Sequence, residues 1–431
     1  MGVALDAVEA GIHAARPGTV LEESIAVEDG VLTVEDAAYD LASYDEVLVV
    51  GGGNAAGRIA SHLSTALGST VAEGIVVTDD PDPGAGVEVV EGTHPVPSDA
   101  NHEGTRRLLD RARAADEDTL AVVVATGGGS ALLAAPVPDV PLADLRSLTD
   151  DLIRSGAPID RINTVRKHLS AVKGGRLARE LAPATTVGLV FSDVTSDDPS
   201  VVASGPISPD PTTYEAARAV LSTYGIDPAA SIARHLERGV DGEVPETPGP
   251  DDAAFDDVRV HVLADNATAL DAAREVCAAA GFEPLVLSSS VRGDAAEAAT
   301  THVAIAEEVR RRGRPVDPPA AILSGGETTV TVSEGAGTGG PNQEFALRAA
   351  IELADGGTRA VLCAVDTDGL DGPTDAAGAI VDGDTVGEGH RARSALAAHD
   401  AYGYLDGRDS LVRTGPTGTN VNDLRVVLVP A

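Results

Sequence analysis

One pattern constrains this chain more than any other. Short Val-rich runs end in glycine and are followed by Ala-rich amphipathic segments. EVLVV precedes GGGNAAGRIASHL, LAVVVA precedes TGGGSALLAA, and VGLVFSD precedes VTSDDPS. Further along, VHVLAD precedes NATALDAAREVCAAAG, and AAILSGGE and RAVLCAVDTDG follow. Strands that are apolar on both faces and alternate with helices predict an α/β fold with a parallel sheet covered on both sides. The rhythm breaks once, at residues 237 to about 258, which are rich in Pro, Gly and acid. Such a stretch reads as a linker or exposed loop. It sets one domain over 1–236 and a second over 259–431.

The core must be built without aromatics, which are 2% of the residues, so Ala, Val, Leu and Ile have to fill it. Acids outnumber bases 68 to 31 along the whole chain, giving a net charge of −37. The recurrent apolar runs exclude a disordered acidic protein. A folded protein with an acidic shell repels itself at low salt, and molar salt screens that repulsion. The composition resembles that of proteins from extreme halophiles. So negative a surface excludes nucleic acid as a partner. Two cysteines, Cys277 and Cys363, form no ligand cluster. With no run of 18 apolar residues and no leader pattern, the expectation is no membrane span and a cytoplasmic location with reduced thiols. A homodimer is compatible with the sequence but not specified by it.

Ligands of open parallel sheets bind at the C-terminal strand ends, where helix N-termini suit phosphate. Three glycine turns fall there: Gly51, Gly52, Gly53 and Gly57; Gly127, Gly128, Gly129 and Ser130; and Ser324, Gly325, Gly326 and Glu327. The first approximates a dinucleotide fingerprint, with Asp79 and Asp80 after the next strand, but its glycine spacing is one residue too long. The only lysines, Lys167 and Lys173, sit in NTVRKHLSAVKGGRLA together with Arg166, His168 and Arg176. That concentration of cations suits a carboxylate or a phosphate chain, or else neutralises acidic neighbours.

Acids stand where a metal would be wanted. Asp193, Asp197 and Asp198 follow one strand, and Asp366, Asp368 and Asp371 follow another. Mg²⁺ in phosphoryl transfer takes one or two carboxylates and the substrate phosphates. Turn chemistry explains Asp-Gly and Asp-Pro pairs equally well.

From about residue 45 onward the chain resembles the two-domain glycerate 2-kinase family whose C-terminal part is the MOFRL domain. The motifs are THPVPSDAN, TGGGSALL, SGAPIDRINTVRKHLSAVKGGRLA, SDVTSDDPSVVASGPISPDPTT, SGGETTVTV, NQEFAL, DTDGLDGPTDAAGA and TGPTGTNVNDL. The resemblance implies a Rossmann-like N-terminal domain, a second α/β domain, and an active site in the cleft between them. It implies ATP- and Mg²⁺-dependent phosphorylation of D-glycerate to 2-phosphoglycerate, or of a related small hydroxy acid. On that reading Gly127, Gly128, Gly129 and Ser130, with Gly53 and Asn54, face ATP. Arg166 and Lys167 balance the carboxylate or the moving phosphoryl. Asp193, with Asp198 or Asp368, holds Mg²⁺, and Asp193 rather than Glu327 takes the hydroxyl proton. Ser324, Glu327, Asn342 and Gln343 contact substrate. Two positions depart from the family, which usually has lysine at Asn54 and arginine at Pro341; Arg58, Arg166 or Lys167 are the candidate replacements.

Overall fold

The structure, a computed structural model, describes residues 1–68, 71–82, 86–332, 335–387 and 389–431. It divides into two compact units.

The first unit comprises Leu21–Ser192 and Asp197–Leu263. Its six-stranded sheet runs, edge to edge, Glu88–Glu91, Val71–Thr78, Glu46–Gly52, Thr119–Ala125, Thr185–Phe191 and Val258–Ala264. The first five strands pair in parallel. In chain order this is 3-2-1-4-5-6, the doubly wound order of dinucleotide folds. The seven residues Thr119–Ala125 are all buried, as a strand covered on both faces requires. Helix Asp99–Ala112 covers the sheet and starts at a capping box, Ser98 bonding the Asn101 amide while Asn101 reaches back. A helical layer of Leu142–Arg154, Ile159–His168, Tyr214–Thr223 and Ala230–Val240 packs around Tyr214, Leu152, Ile232 and Leu236.

The 237–258 stretch does not separate the units; it belongs to this one. Glu246 accepts from the Tyr214 amide and bonds His168 Nε2 at 3.1 Å, and Thr247 Oγ1 donates to Asp210 at 3.0 Å. Composition suggested a linker, but polar side chains bind the segment down.

The second unit comprises Met1–Val20, Asp193–Ser196 and Ala264–Ala431. The N-terminal helix Gly2–Ala14 belongs here because Gly11 leaves no room for a side chain. A Cβ there would lie 2.8 Å from the Ala269 carbonyl, so the helix lies flat on Asn266–Ala279. The sheet order is Glu283–Asp294, Ala320–Thr329, Asp423–Val429, Val361–Asp366, Gly378–Asp382 and Leu411–Val412. Only the first pair is parallel; Asp423–Val429 runs antiparallel to both neighbours. This second α/β sheet is thus mixed, where the first unit's run of five strands is parallel. Apolar strands cannot announce their direction, and the final strand inserts between two that precede it in sequence. Phe345, Leu347 and Ile351 of helix Pro341–Gly356 meet an Ala- and Val-rich core, as the lack of aromatics demands.

Candidate active site

In the first unit the strand order reverses between Glu46–Gly52 and Thr119–Ala125. Crossovers leave in opposite directions there, and a crevice opens at the C-terminal strand ends. Both glycine turns of this unit end those two strands. They are bonded to each other: the Asn54 amide donates to Gly127 O at 2.8 Å, the Ala55 amide to Thr126 Oγ1 at 3.3 Å, and the Thr126 amide to Gly52 O at 3.3 Å. Glycine is obligatory at Gly53, with φ +142 and a Cβ that would fall 2.0 Å from Thr126 Oγ1. Asn54 Oδ1 is buried without a partner among the described residues, and Gly128 has no Cβ to meet it. Ser130 Oγ lies 2.7 Å from Ser204 Oγ, which donates to Asn163 Oδ1 at 3.2 Å. Ala203, Ser204 and Gly205 all have positive φ, a strained run that brings Ser204 to the turn.

The cation segment sorts into two groups. Lys167 is buried and paired with Asp210 at 3.4 Å, so its charge is already answered. His168 bonds Thr164 O and Glu246, and Arg176 donates to Tyr214 Oη at 3.1 Å. These three brace the helical layer. Arg166 and Lys173 have no acidic partner among the described residues, and both line a cavity of about 30 Å³ beside Ser130. Arg58 pairs with Asp80 in the open. Asp197 accepts from Ser192 Oγ at 2.7 Å, while Asp198 is exposed and bonds the Ser200 amide, as a turn-forming aspartate does.

In the second unit, acids converge where three strands end. Asp423 stands opposite both Gly326 and Asp366 across the sheet. Glu327 is exposed at its strand's end, yet the surrounding chain desolvates its carboxyl enough to push it up, helped by the charges of Asp423 and Asp193. Asp366 is held well above the usual carboxylate range by burial, then Asp368 and Asp423, and Asp368 is raised by burial and Asp423. Asp371, 1% exposed, is pushed up to about 7 by burial although it accepts the Asn342 and Gln343 amides at 3.0 and 2.8 Å. Those amides open helix Pro341–Gly356, where a carboxylate is favoured, and Pro341 fills the first helical position, which needs no donor.

Of the substrate contacts expected here, only Glu327 faces the acid cluster with its own carboxyl. Asn342 Nδ2 donates to Asp423 at 2.6 Å and Gln343 Nε2 to Thr374 at 2.8 Å, so both hold other residues in place. Ser324 is fully buried and bonded to His302 Nε2 at 2.7 Å, which assigns it to the core. Asp423 and Arg425 went unnoticed in the sequence. Two charges spaced i, i+2 at the start of an otherwise apolar strand were the available signal, since both point to one face. Arg425 is fully buried, contacts Asp423, and lies 4.8 Å from the centre of the Phe345 ring. Asp423→Ala would remove the direct ion-pair partner of that guanidinium, leaving only the charges of Asp371 and Asp366 to act on it. Breaking a buried pair costs about 3–5 kcal/mol, so denaturant unfolding in molar salt should show a loss of that size. A loss below about 1 kcal/mol would mean that Arg425 is not held by Asp423.

Family models match residues 3–237, as DUF4147, a domain of unknown function, and residues 320–423, as MOFRL. A glycerate 2-kinase of Pyrococcus horikoshii is 37% identical over 99% of this chain and 97% of its own. An Agrobacterium vitis protein bearing a hydroxypyruvate reductase name is 40% identical over 89% of this chain and 99% of its own. The crystal structure of a Thermotoga maritima glycerate kinase superposes with a TM-score of 0.86 at 37% identity, covering 99% of both chains. The chain therefore belongs to the glycerate 2-kinase family, built from a DUF4147 domain and a MOFRL domain.

Proposed function

We propose that this protein transfers the γ-phosphoryl group of ATP to the 2-hydroxyl of D-glycerate. The observation that carries the reading is the pair of interlocked glycine turns at the switch point of a doubly wound sheet. Backbone approaches a phosphate chain closely only where side chains are absent, and the helix Ala56–Leu67 begins at the first turn. Gly53, Asn54 and Gly127 to Gly129 are the residues we assign to the nucleotide phosphates.

The acids of the second unit supply the other requirement. Desolvation and neighbouring acids raise the proton affinity of Asp366, Asp368 and Glu327, the charge of Asp423 acting on all three, and a divalent cation relieves such repulsion. The side-chain amide oxygens of Asn342 and Gln343 are buried nearby without partners among the described residues. Among the described residues, no three acid or histidine groups of this unit place ligand atoms within 4.8 Å of one another. That suits Mg²⁺, which keeps one or two carboxylates and takes its remaining oxygens from phosphates and water. Asp366 and Asp368 are the residues that would hold it, and it would neutralise the charge of the transferring phosphate. Asp193, which acts on Glu327, takes the substrate's hydroxyl proton. Asp198, exposed and engaged in a turn, is given no part.

An assay panel in molar KCl tests the reading. D-glycerate should drive ATP consumption that requires Mg²⁺, and hydroxypyruvate should cause no NADH oxidation. NADH oxidation without ATP consumption would replace the kinase with a reductase, the reading that the Agrobacterium relative's name favours.

A further inference from the structure

Two cations in the first unit stand apart from every other charge around them. Arg166 is mostly buried, yet its guanidinium makes no hydrogen bond or ion pair among the described residues. Lys173 is 5% exposed, and its ammonium donates to the Leu133 carbonyl, which uses one of its three protons. Both line one cavity of about 30 Å³, together with Ser130, Ser170 and Thr149. Burying one unanswered cation is costly, and two side by side repel each other. In a chain with 68 acids, partners were abundant, and this cavity has none.

The hydroxyls beside them are oriented. Ser170 Oγ accepts from the Val172 and Lys173 amides, both at 3.2 Å, so its proton is left to donate. Ser204 gives its proton to Asn163 and must therefore accept from Ser130. Ser130 then presents only lone pairs to the cavity. The lining thus offers donors to an anion at one place and an acceptor to a hydroxyl at another.

We infer that this cavity seats the carboxylate end of the hydroxy acid, with Arg166, Lys173 and Ser170 donating to the carboxylate and Ser130 accepting from a hydroxyl of the same molecule. The inference rests on the kinase reading and names its acid pocket. It also moves Ser130 from the nucleotide to the acid. The cavity offers about two waters' volume, which suits a planar carboxylate. Lys173 adds a proton signature. Burial and then Arg166 lower its pKa to about 7, and Arg166 is the one charged group acting on it among the described residues. An arriving carboxylate raises that value, so above pH 7 binding takes up a proton and weakens as pH rises.

The test is calorimetric titration of the full chain with D-glycerate in molar KCl, without nucleotide, alongside KM values for acid and ATP. Arg166→Ala should weaken the acid by at least about 30-fold while shifting the KM for ATP less than about threefold, and Arg166→Lys should recover part of the loss. At pH 8 the binding heat should vary with buffer ionisation in wild type and not in Lys173→Met. Turnover of glycerate by Arg166→Ala with unchanged KM would overturn the pocket and leave the kinase standing. Arg166-dependent binding of glycerate without phosphorylation would sink the kinase and keep the pocket. A loss confined to ATP would make Arg166 a phosphate ligand, and wild type that binds no small hydroxy acid would overturn the pocket outright.

Discussion

Asp193→Asn should lower turnover by about 10²–10⁴-fold, the usual worth of a positioned acid or base, while the fold survives. Asp193 leaves the C-terminal end of strand Thr185–Phe191 and joins the second unit, where its charge acts on Glu327. The amide keeps the shape and hydrogen-bonding reach but cannot accept a proton at neutral pH. The KM for ATP should change little, because the nucleotide is assigned to the glycine turns. Steady-state kinetics with a far-ultraviolet circular dichroism control reads both parts. Near-normal turnover would remove Asp193 from the chemistry and leave Glu327, whose proton affinity is raised by desolvation and by Asp423, as the alternative base.

Salt should have an effect as large on the whole molecule. With a net charge of −37, the protein should lose its structure below roughly molar KCl, because the screening length shrinks to about 3 Å only at that concentration. Its surface ion pairs do not reverse the sign. Arg106 with Glu103 and Asp110, Arg113 with Glu180, and Arg413 with Asp375 are largely exposed, and such pairs contribute about 0–1 kcal/mol each. Their weakening in salt is small beside the relief of acid–acid repulsion. A melting temperature that fails to rise from low to molar KCl would refute the halophilic reading.

What the sequence disclosed follows from what local patterns encode. The Val runs and glycine turns specified the parallel sheet and its ligand-facing end, because burial on both faces and close backbone approach demand those residues. Strand direction in the second unit was hidden, since an apolar run reads the same either way. The 237–258 stretch reads as a linker because Pro- and acid-rich composition looks alike in a free linker and in a loop pinned by Glu246 and Thr247; the units divide a few residues beyond it, between Leu263 and Ala264. Among the cations, spacing showed a cluster but not its wiring. Only the fold pairs Lys167 with Asp210 and leaves Arg166 and Lys173 together. The i, i+2 charges at Asp423 and Arg425 mark a strand face but not what it meets: Asp366 and Asn342 lie 57 and 81 positions away, brought together by the antiparallel insertion of the last strand.

The most direct test of the central claim is to identify the product. Purified protein with Mg²⁺, ATP and D-glycerate in molar KCl, followed by phosphorus NMR, should convert ATP to ADP and yield 2-phosphoglycerate in equal amount. ATP left intact, or phosphate released without an acid ester, would contradict it.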